Sequence, residues 1–538
     1  MENLDDLLKQ NKKDEIWKKY CGFLDLTLPE FMSIQENLLM EQLDLLKGCE
    51  IGKKILGPKP PKSLEEFRQK VPYTTYYDYS EYLLKKTENV LPQKPYTWAH
   101  TSGRSGEYEL KWIPYSKKMY ELTGEKACSG LILASCRKKG DIALKQGDKV
   151  IFTLASPPYV SGIWMQSALE EFKMTTFPPF DEAVNMDFQQ RIKEGFKSAL
   201  VHDLDLLFGI TSIILKIGEQ FSQRDRSKKD EEQSKTLKKP KVIAKLLKAL
   251  LKAKLHRRNI LPKDIWKIKG ILCGGADTSI YKDRVKKVWG CAPLEAYGST
   301  EFGLSAFQAW NYEGLYFLPD TCFWEFLPEE EYRKMTQDTK YKPRILLFNE
   351  VEPNRDYVLV GTNFHGGTLI RYIIGDMIRI TALEDKVSDI KLPQMVFLSR
   401  VDDLIDIGGF TRLTEKIIWQ AIENSGLDYI EWITRKEYQN EKPVLHCYIE
   451  LKEKSESVSS IEEKVHESLK QIDEPYRELE GIAGVKPIKI TLLSKGTFQR
   501  YFEERQAAGA DLAHLKPPHI NPSESVLKNL LRMSSWQL

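Results

Sequence analysis

Residues 268–273 read Ile-Lys-Gly-Ile-Leu-Cys, and residues 149–154 read Lys-Val-Ile-Phe-Thr-Leu. Each is a short apolar, β-rich run bounded by turn residues, and each lies between stretches with helical spacing. Buried strands alternating with helices predict an α/β domain with substantially parallel sheets. Tyr357–Asn363 (YVLVGTN) is expected to be a further strand of that domain. Toward the N-terminus the texture changes. EFMSIQENLLMEQLDLLKGC has apolar residues three and four apart, so residues 1–95 read as a helical lead-in. Toward the C-terminus it changes again at about residue 400. Helical Leu413–Ser425, a strand near Val444–Leu451, helical Ser459–Leu479 and a strand near Pro487–Leu493 predict a small α+β domain. Between the two, LSRVDDLIDIGGF reads as a hinge. The expected division is a large α/β domain over 1–399 and a small C-terminal domain over 400–538, with the hinge near 400–403.

Composition narrows the class. The chain has 538 residues, 41% hydrophobic and 29% charged, which is ordinary globular material and excludes collagenous or wholly disordered chains. Its eight cysteines form no C-x-x-C pair, and its eight histidines make no H-E-x-x-H. A disulfide framework or structural zinc is therefore not expected, and reduced thiols in a cytoplasmic setting are. The opening MENLDDLLKQNKKDEIW is charged from its second residue, so a secretory signal is not expected. No apolar run approaches the ~20 residues of a spanning helix, so no transmembrane segment is expected.

The net charge of +3 points to no partner, but the distribution is uneven. Residues 223–258 hold fourteen Lys/Arg against four Asp/Glu, a local +10. Their first half has no apolar period and reads as a loop. Their second half, KVIAKLLKALLKAKLHRRN, puts Val242, Ile243, Leu246, Leu247, Leu250, Leu251 and Leu255 on one helical face with lysines opposite. Such a helix suits an acidic membrane or nucleic acid. Alternatively, it packs its leucines onto its own domain.

Four segments carry chemistry. Thr101-Ser102-Gly103-Arg104-Ser105-Gly106, followed by Lys111, has the small residues, hydroxyls and cations that let backbone amides approach phosphate oxygens. It is neither a Walker A loop nor a nucleophile elbow, and by itself it is also an ordinary turn. Tyr297-Gly298-Ser299-Thr300-Glu301 follows the expected strand CAPLEAY. Its ring suits adenine, its hydroxyls phosphate and its carboxylate Mg²⁺; a strand-end turn with a solvated glutamate is the alternative. Asp376, after Gly375 at the end of an apolar strand, could accept ribose hydroxyls as acidic residues do in dinucleotide folds. Arg400, in Ser399-Arg400-Val401-Asp402-Asp403, could reach ribose or phosphate, or form a surface ion pair. Tyr159–Gln166 could line an acyl pocket or be helix core.

In this order the segments resemble the adenylate-forming superfamily, and within it the auxin-responsive-promoter family of acyl-acid amido synthetases. EEFRQKVPYTTYYDYSEYL, ILCGGADTSIYKDRVKK, DYVLVGTNFHGGTLIRYIIGDMIRI and LLSKGTFQRYFEERQAAGADLAHLKPPH are similar to that family's segments. The resemblance implies a large ATP- and acyl-binding domain and a small mobile C-terminal lid. It implies that a carboxylate and MgATP give an acyl-adenylate, whose acyl group passes to an amine such as an amino acid. Carried over residue by residue, Ser102, Gly103, Ser105 and Lys111 belong to the phosphate loop. Tyr297, Gly298, Ser299 and Thr300 hold adenine and phosphate, and Glu301 serves Mg²⁺. Asp376 holds ribose, with Arg400 beside it and Asp402 near the pivot. The lysine bridging α-phosphate and carboxylate is Lys516, in HLKPP, with Lys495, in LSKG, as its rival. His519 stands where an arginine often follows the proline pair. A thiol acceptor (coenzyme A or a carrier) is the nearest alternative. A docking protein with a vestigial site is the distant one. Nucleic acid is not an obligatory partner, and a monomer is expected.

Overall fold

Parallel strands buried on both faces are the expected fate of runs such as 149–154 and 268–273. A computed structural model of the chain describes residues 2–100, 111–223, 239–275, 278–338, 340–401, 404–407, 411–439, 442–453, 456–474, 476–477, 487–507 and 519–535. It divides into two compact units. Of the described residues, the first holds those up to Phe397 apart from Gly375–Met377; the second holds those three and the ones from Leu398 onward.

In the first unit, a seven-stranded sheet runs in the order Thr175–Phe177, Lys149–Phe152, Leu206–Ile210, Gly270–Gly274, Pro293–Ser299, Gly303–Phe307, Tyr316–Phe317. The first five strands pair in parallel and the last two antiparallel. Ligands of open α/β sheets bind beyond the carboxyl ends of the parallel strands. Tyr297, Gly298 and Ser299 form such an end. A second, four-stranded sheet follows in chain order: Cys322–Pro328, Arg355–Asn363, Tyr372–Ala382 and Gln394–Arg400. The run at 357–363 therefore belongs to a different sheet from the parallel core, and its pairing with Cys322–Pro328 is antiparallel.

The N-terminal stretch ahead of Thr97 contains helices and no strand among its described residues. Its longest helix, Leu28–Leu46, starts at a Thr27/Glu30 capping box. Phe31, Leu39, Leu43 and Leu46 are buried along one face, and so are Gln35 and Gln42. Buried amides need partners. Gln35 Nε2 donates to the Cys322 carbonyl (2.9 Å) and its Oε1 accepts from Trp324 N (3.0 Å). Gln42 Nε2 donates to the Gly367 carbonyl and its Oε1 accepts from Gly366 N, both at 2.8 Å. The lead-in thus fixes both the second sheet and the loop at 364–371.

The second unit has a three-stranded sheet ordered Tyr429–Gln439, Lys442–Leu451, Ile488–Leu493, antiparallel then parallel. Helices Glu415–Asn424, Val458–Ile472, Thr497–Ala507 and Glu524–Ser535 accompany it. Ile433, Tyr448, Leu493, Phe498, Tyr501, Leu527, Leu530 and Met533 form one of its buried clusters. The sequence reading has no strand at 429–439. The all-helical reading of 413–425 is also corrected, because Thr411–Thr414 is a strand whose last residue caps the following helix. The eight cysteines are unbridged, seven of them buried. Among the described residues no helix is long and apolar enough to cross a membrane.

Candidate active site

The strand Pro293–Ser299 runs directly into the turn Thr300–Phe302, and the chain reverses into Gly303–Phe307. A bulge between Tyr297 and Gly298 re-aims the strand end. The strand therefore extends through Ser299, two residues past the end of the expected strand CAPLEAY. Close approach demands glycine at 298. A Cβ there would lie 2.8 Å from the Gly303 carbonyl oxygen, 3.1 Å from Leu304 Cα and 3.1 Å from the Trp164 ring. Tyr297 is buried with its ring stacked on Phe397, centroids 6.1 Å apart and planes at 26°. Trp164 belongs to the helix Val160–Glu171, in which Val160, Ser161, Gly162, Ile163 and Met165 are buried. The 159–166 stretch is thus mainly helix core.

Three neighbours hold the backbone of this turn. Ser299 Oγ accepts from Phe302 N (3.1 Å), Tyr115 Oη donates to the Thr300 carbonyl (2.8 Å), and Asn363 Nδ2 donates to the Glu301 carbonyl (2.8 Å). Burial, and behind it the charge of Glu301, pushes the Tyr115 phenol far up, so it remains a neutral donor. Thr300 and Glu301 are only 8% and 9% exposed. A carboxylate this buried on a fixed turn is not a solvated strand-end glutamate. Hard oxygen donors suit Mg²⁺, which is commonly held by one or two carboxylates plus substrate phosphates. The described residues contain no group of three or more His, Cys, Asp or Glu that could hold a metal by itself.

Asn363 is itself locked, its Oδ1 accepting from Leu369 N and its own N–H donating to the Leu369 carbonyl, both at 2.9 Å. The same loop ends at Arg371, 2% exposed and in the left-handed region at φ 44°. Its guanidinium forms a bidentate pair with Glu325 (2.9 and 2.7 Å) and donates to the carbonyls of Arg68 and Val71 (3.0 and 2.6 Å). Burial works against that charge, but Glu325 outweighs it and holds the Arg371 pKa above its ordinary value. Tyr115, Asn363 and Arg371 are the supporting residues that sequence reading passes over. Asn363 and Arg371 stand inside a segment it singles out, but their partners lie far away in the chain.

Lys111 is buried at the start of Trp112–Tyr115, its Nζ 5.5 Å from the Tyr76 ring centroid. Asp376 lies inside the strand Tyr372–Ala382, not at its end, and Gly375 before it has φ 80°. Asp376 Oδ1 stands 3.8 Å from Arg400 Nε, so these two are brought together in the second unit. Lys495 is exposed on a turn in that unit. Buried Glu450 clamps this turn, accepting from Gly496 N (2.5 Å) and Phe498 N (2.8 Å). His519 is buried too, its ring nitrogens 2.7 and 2.8 Å from the carboxylates of Glu415 and Glu431. Ser102, Gly103, Ser105, Asp402 and Lys516 lie outside the described residues.

Comparisons with known proteins agree with this architecture. The GH3 family N-terminal domain matches residues 22–177, the GH3 family central domain residues 315–400 and the GH3 family C-terminal domain residues 415–525. The jasmonoyl–L-amino acid synthetase GH3.5 of Oryza sativa subsp. japonica is 25% identical over 238 residues, 41% of this chain; the match spans about two fifths (39%) of that relative. The acyl acid amido synthetase AtGH3.15 in complex with 2,4-DB superposes with a TM-score of 0.69 at 18% identity, covering 97% of this chain and 96% of that one. A 2-hydroxyisobutyryl-CoA ligase in the postadenylation state has a TM-score of 0.60 at 15% identity, covering 95% and 94%. These two likenesses establish the shared fold.

Proposed function

Because the chain belongs to the GH3 family, we propose that it is an ATP-dependent ligase that adenylates a carboxylic acid and transfers the acyl group to an amine, an amino acid by preference. The observation that carries this reading is the buried Thr300–Glu301 turn, pinned by Tyr115 and Asn363 at the carboxyl end of a parallel strand. In the first half-reaction a substrate carboxylate oxygen attacks the α-phosphorus of MgATP and pyrophosphate leaves. In the second, the amine nitrogen attacks the acyl carbonyl, AMP leaves, and the nitrogen gives up a proton. Charge changes fall on phosphate oxygens, so positioning and preorganised electrostatics supply the catalysis.

Tyr297 faces adenine, with Gly298 and Ser299 shaping the approach. Thr300 contacts phosphate, and Glu301 would hold Mg²⁺, which when bound would supply positive charge for the phosphates. Asp376 accepts the ribose hydroxyls and Arg400 sits beside it. Ser102, Gly103, Ser105 and Lys111 serve the phosphates, and Lys516 bridges α-phosphate and carboxylate, ahead of Lys495. Residues 1–399 bind ATP and acid, and 400–538 act as a lid turning near 400–403, in a cytoplasmic monomer. The testing experiment is Mg²⁺-dependent pyrophosphate release across aryl and aliphatic acids, with mixed amino acids or coenzyme A. Release with an acid, and an acyl-amide product by mass spectrometry, is the expected result. A thioester product would reassign the acceptor. Failure to bind ATP by calorimetry would overturn the reading.

A further inference from the structure

The helix Pro240–Leu255 divides its apolar residues between two faces. Val242, Ala249 and Ala253 are buried and fasten it to the first unit, helped by an ion pair from Lys245 to Asp203. The leucines do not all turn inward, which corrects the simpler reading of this helix. Ile243, Leu247, Leu251 and Leu255 are 43, 55, 69 and 81% exposed. Residues four apart drift by about 40° on a helix, so these four make one continuous outward stripe. Exposed lysines border it, Lys248 and Lys252 along one edge and Lys254 near the end of the other. Residues 239–258 contain eight Lys/Arg and no Asp or Glu.

We propose that this outward face docks the enzyme on an anionic lipid bilayer. The argument is charge complementarity joined to the apolar stripe. A bilayer surface accepts aliphatic side chains at the headgroup–acyl boundary while lysine stems reach back to anionic headgroups. Nucleic acid fits less well, because the helix offers phosphate contacts but no aromatic, amide or hydroxyl side chain for bases. A second copy would oppose one cationic face with another. The docking is peripheral, since among the described residues no helix is long and apolar enough to span. It stands independently of the acceptor and of the reaction itself.

The test is flotation of the full chain with vesicles of phosphatidylcholine alone and with about 30% phosphatidylserine, at about 0.15 M salt. Binding to the anionic vesicles only is expected. The neutral double variant Leu247→Ser/Leu251→Ser should weaken it at least about tenfold. Lys248→Gln and Lys252→Gln should each weaken it about fivefold. Because both leucines are more than half exposed, the double variant keeps its fold, which an unchanged melting temperature checks. Absence of binding, or equal binding to both vesicle types, overturns the proposal. So does anionic binding that the leucine variant leaves intact, with heparin or a single-stranded oligonucleotide competing equally well. If the leucine variant instead changes only the oligomeric state in sedimentation, the stripe is a self-association surface and the proposal fails.

Discussion

A methyl group at position 298 would collide with backbone on one side, the Gly303 carbonyl oxygen and Leu304 Cα, and with Trp164 on the other. Backbone cannot yield as a flexible side chain does, so Gly298→Ala must displace the Thr300–Glu301 turn. A displacement of about 1 Å near reacting groups costs on the order of 10²-fold in rate. We expect that loss in pyrophosphate release, with a smaller effect on melting temperature. Asn363→Ala removes the donor to the Glu301 carbonyl and the acceptor for Leu369 N, leaving buried groups unpaired at about 1–3 kcal/mol. Its signature is lower stability together with lower kcat; unchanged kcat would show that the turn holds itself. Arg371→Ala separates the two consequences. It strips a bidentate partner from Glu325, itself 1% exposed, and should cost about 3–5 kcal/mol in denaturant unfolding.

At the scale of elements, strand Lys442–Leu451 carries a titratable pair. His446 Nδ1 lies 2.6 Å from Glu437 on the neighbouring strand. Burial opposes the Glu437 charge, but hydrogen bonds from His446, Tyr448 and Arg435 override it and hold its pKa at about 2. Burial also pushes His446 below the ordinary imidazole value, with Glu437 opposing that shift only in part. Both folded-state pKa values are depressed, so the unfolded chain takes up more protons as pH falls. The His446 contribution is complete above about pH 6.5 and the Glu437 contribution above about pH 4.3; each is lost as pH falls toward its folded value. Protection against hydrogen exchange in peptides covering 442–451, corrected for the intrinsic exchange rate, should therefore fall as pH drops below about 6.5, and His446→Gln should flatten that response. No change with pH would show that the pair contributes nothing.

The same strand pair shows why sequence reading was uneven. The helix at Leu28–Leu46 and the runs at 149–154 and 268–273 declare themselves through local periodicity. Tyr429–Gln439, YIEWITRKEYQ, hides because charged residues interrupt its apolar pattern, and two of them find partners far along the chain, Glu431 at His519 and Arg435 at Glu524, 88 and 89 residues away. The Tyr297–Glu301 turn is legible for the opposite reason, being one contiguous piece of chemistry. Asn363 and Arg371 reach partners 62 and 46 residues away.

On the scale of the whole molecule, the proposed roles are shared unequally between the two units. Tyr297, Thr300 and Glu301 belong to the first, whereas Asp376, Arg400 and Lys495 belong to the second, and sequence puts Lys516 in the C-terminal stretch. An adenylating lysine need only meet the α-phosphate during the first half-reaction, so the proposed mobile C-terminal domain would be a suitable carrier. The two candidate lysines make different kinetic predictions. Lys495 rides a turn clamped by Glu450, so its exposed side chain can be removed with little structural cost. Lys516→Ala should lower pyrophosphate release by about 10²–10³-fold, the usual cost of removing one donor that stabilises transition-state charge. Lys495→Ala should lower it only a few-fold. Supplying a presynthesised acyl-adenylate discriminates further: amide formation should survive in Lys516→Ala, because the missing cation acts before that point. The reverse order of sensitivity would transfer the bridging role to Lys495 and, with it, weight toward the thiol acceptor. Equal and total loss in both variants would mean that each lysine is needed for the C-terminal stretch as a whole rather than for the α-phosphate.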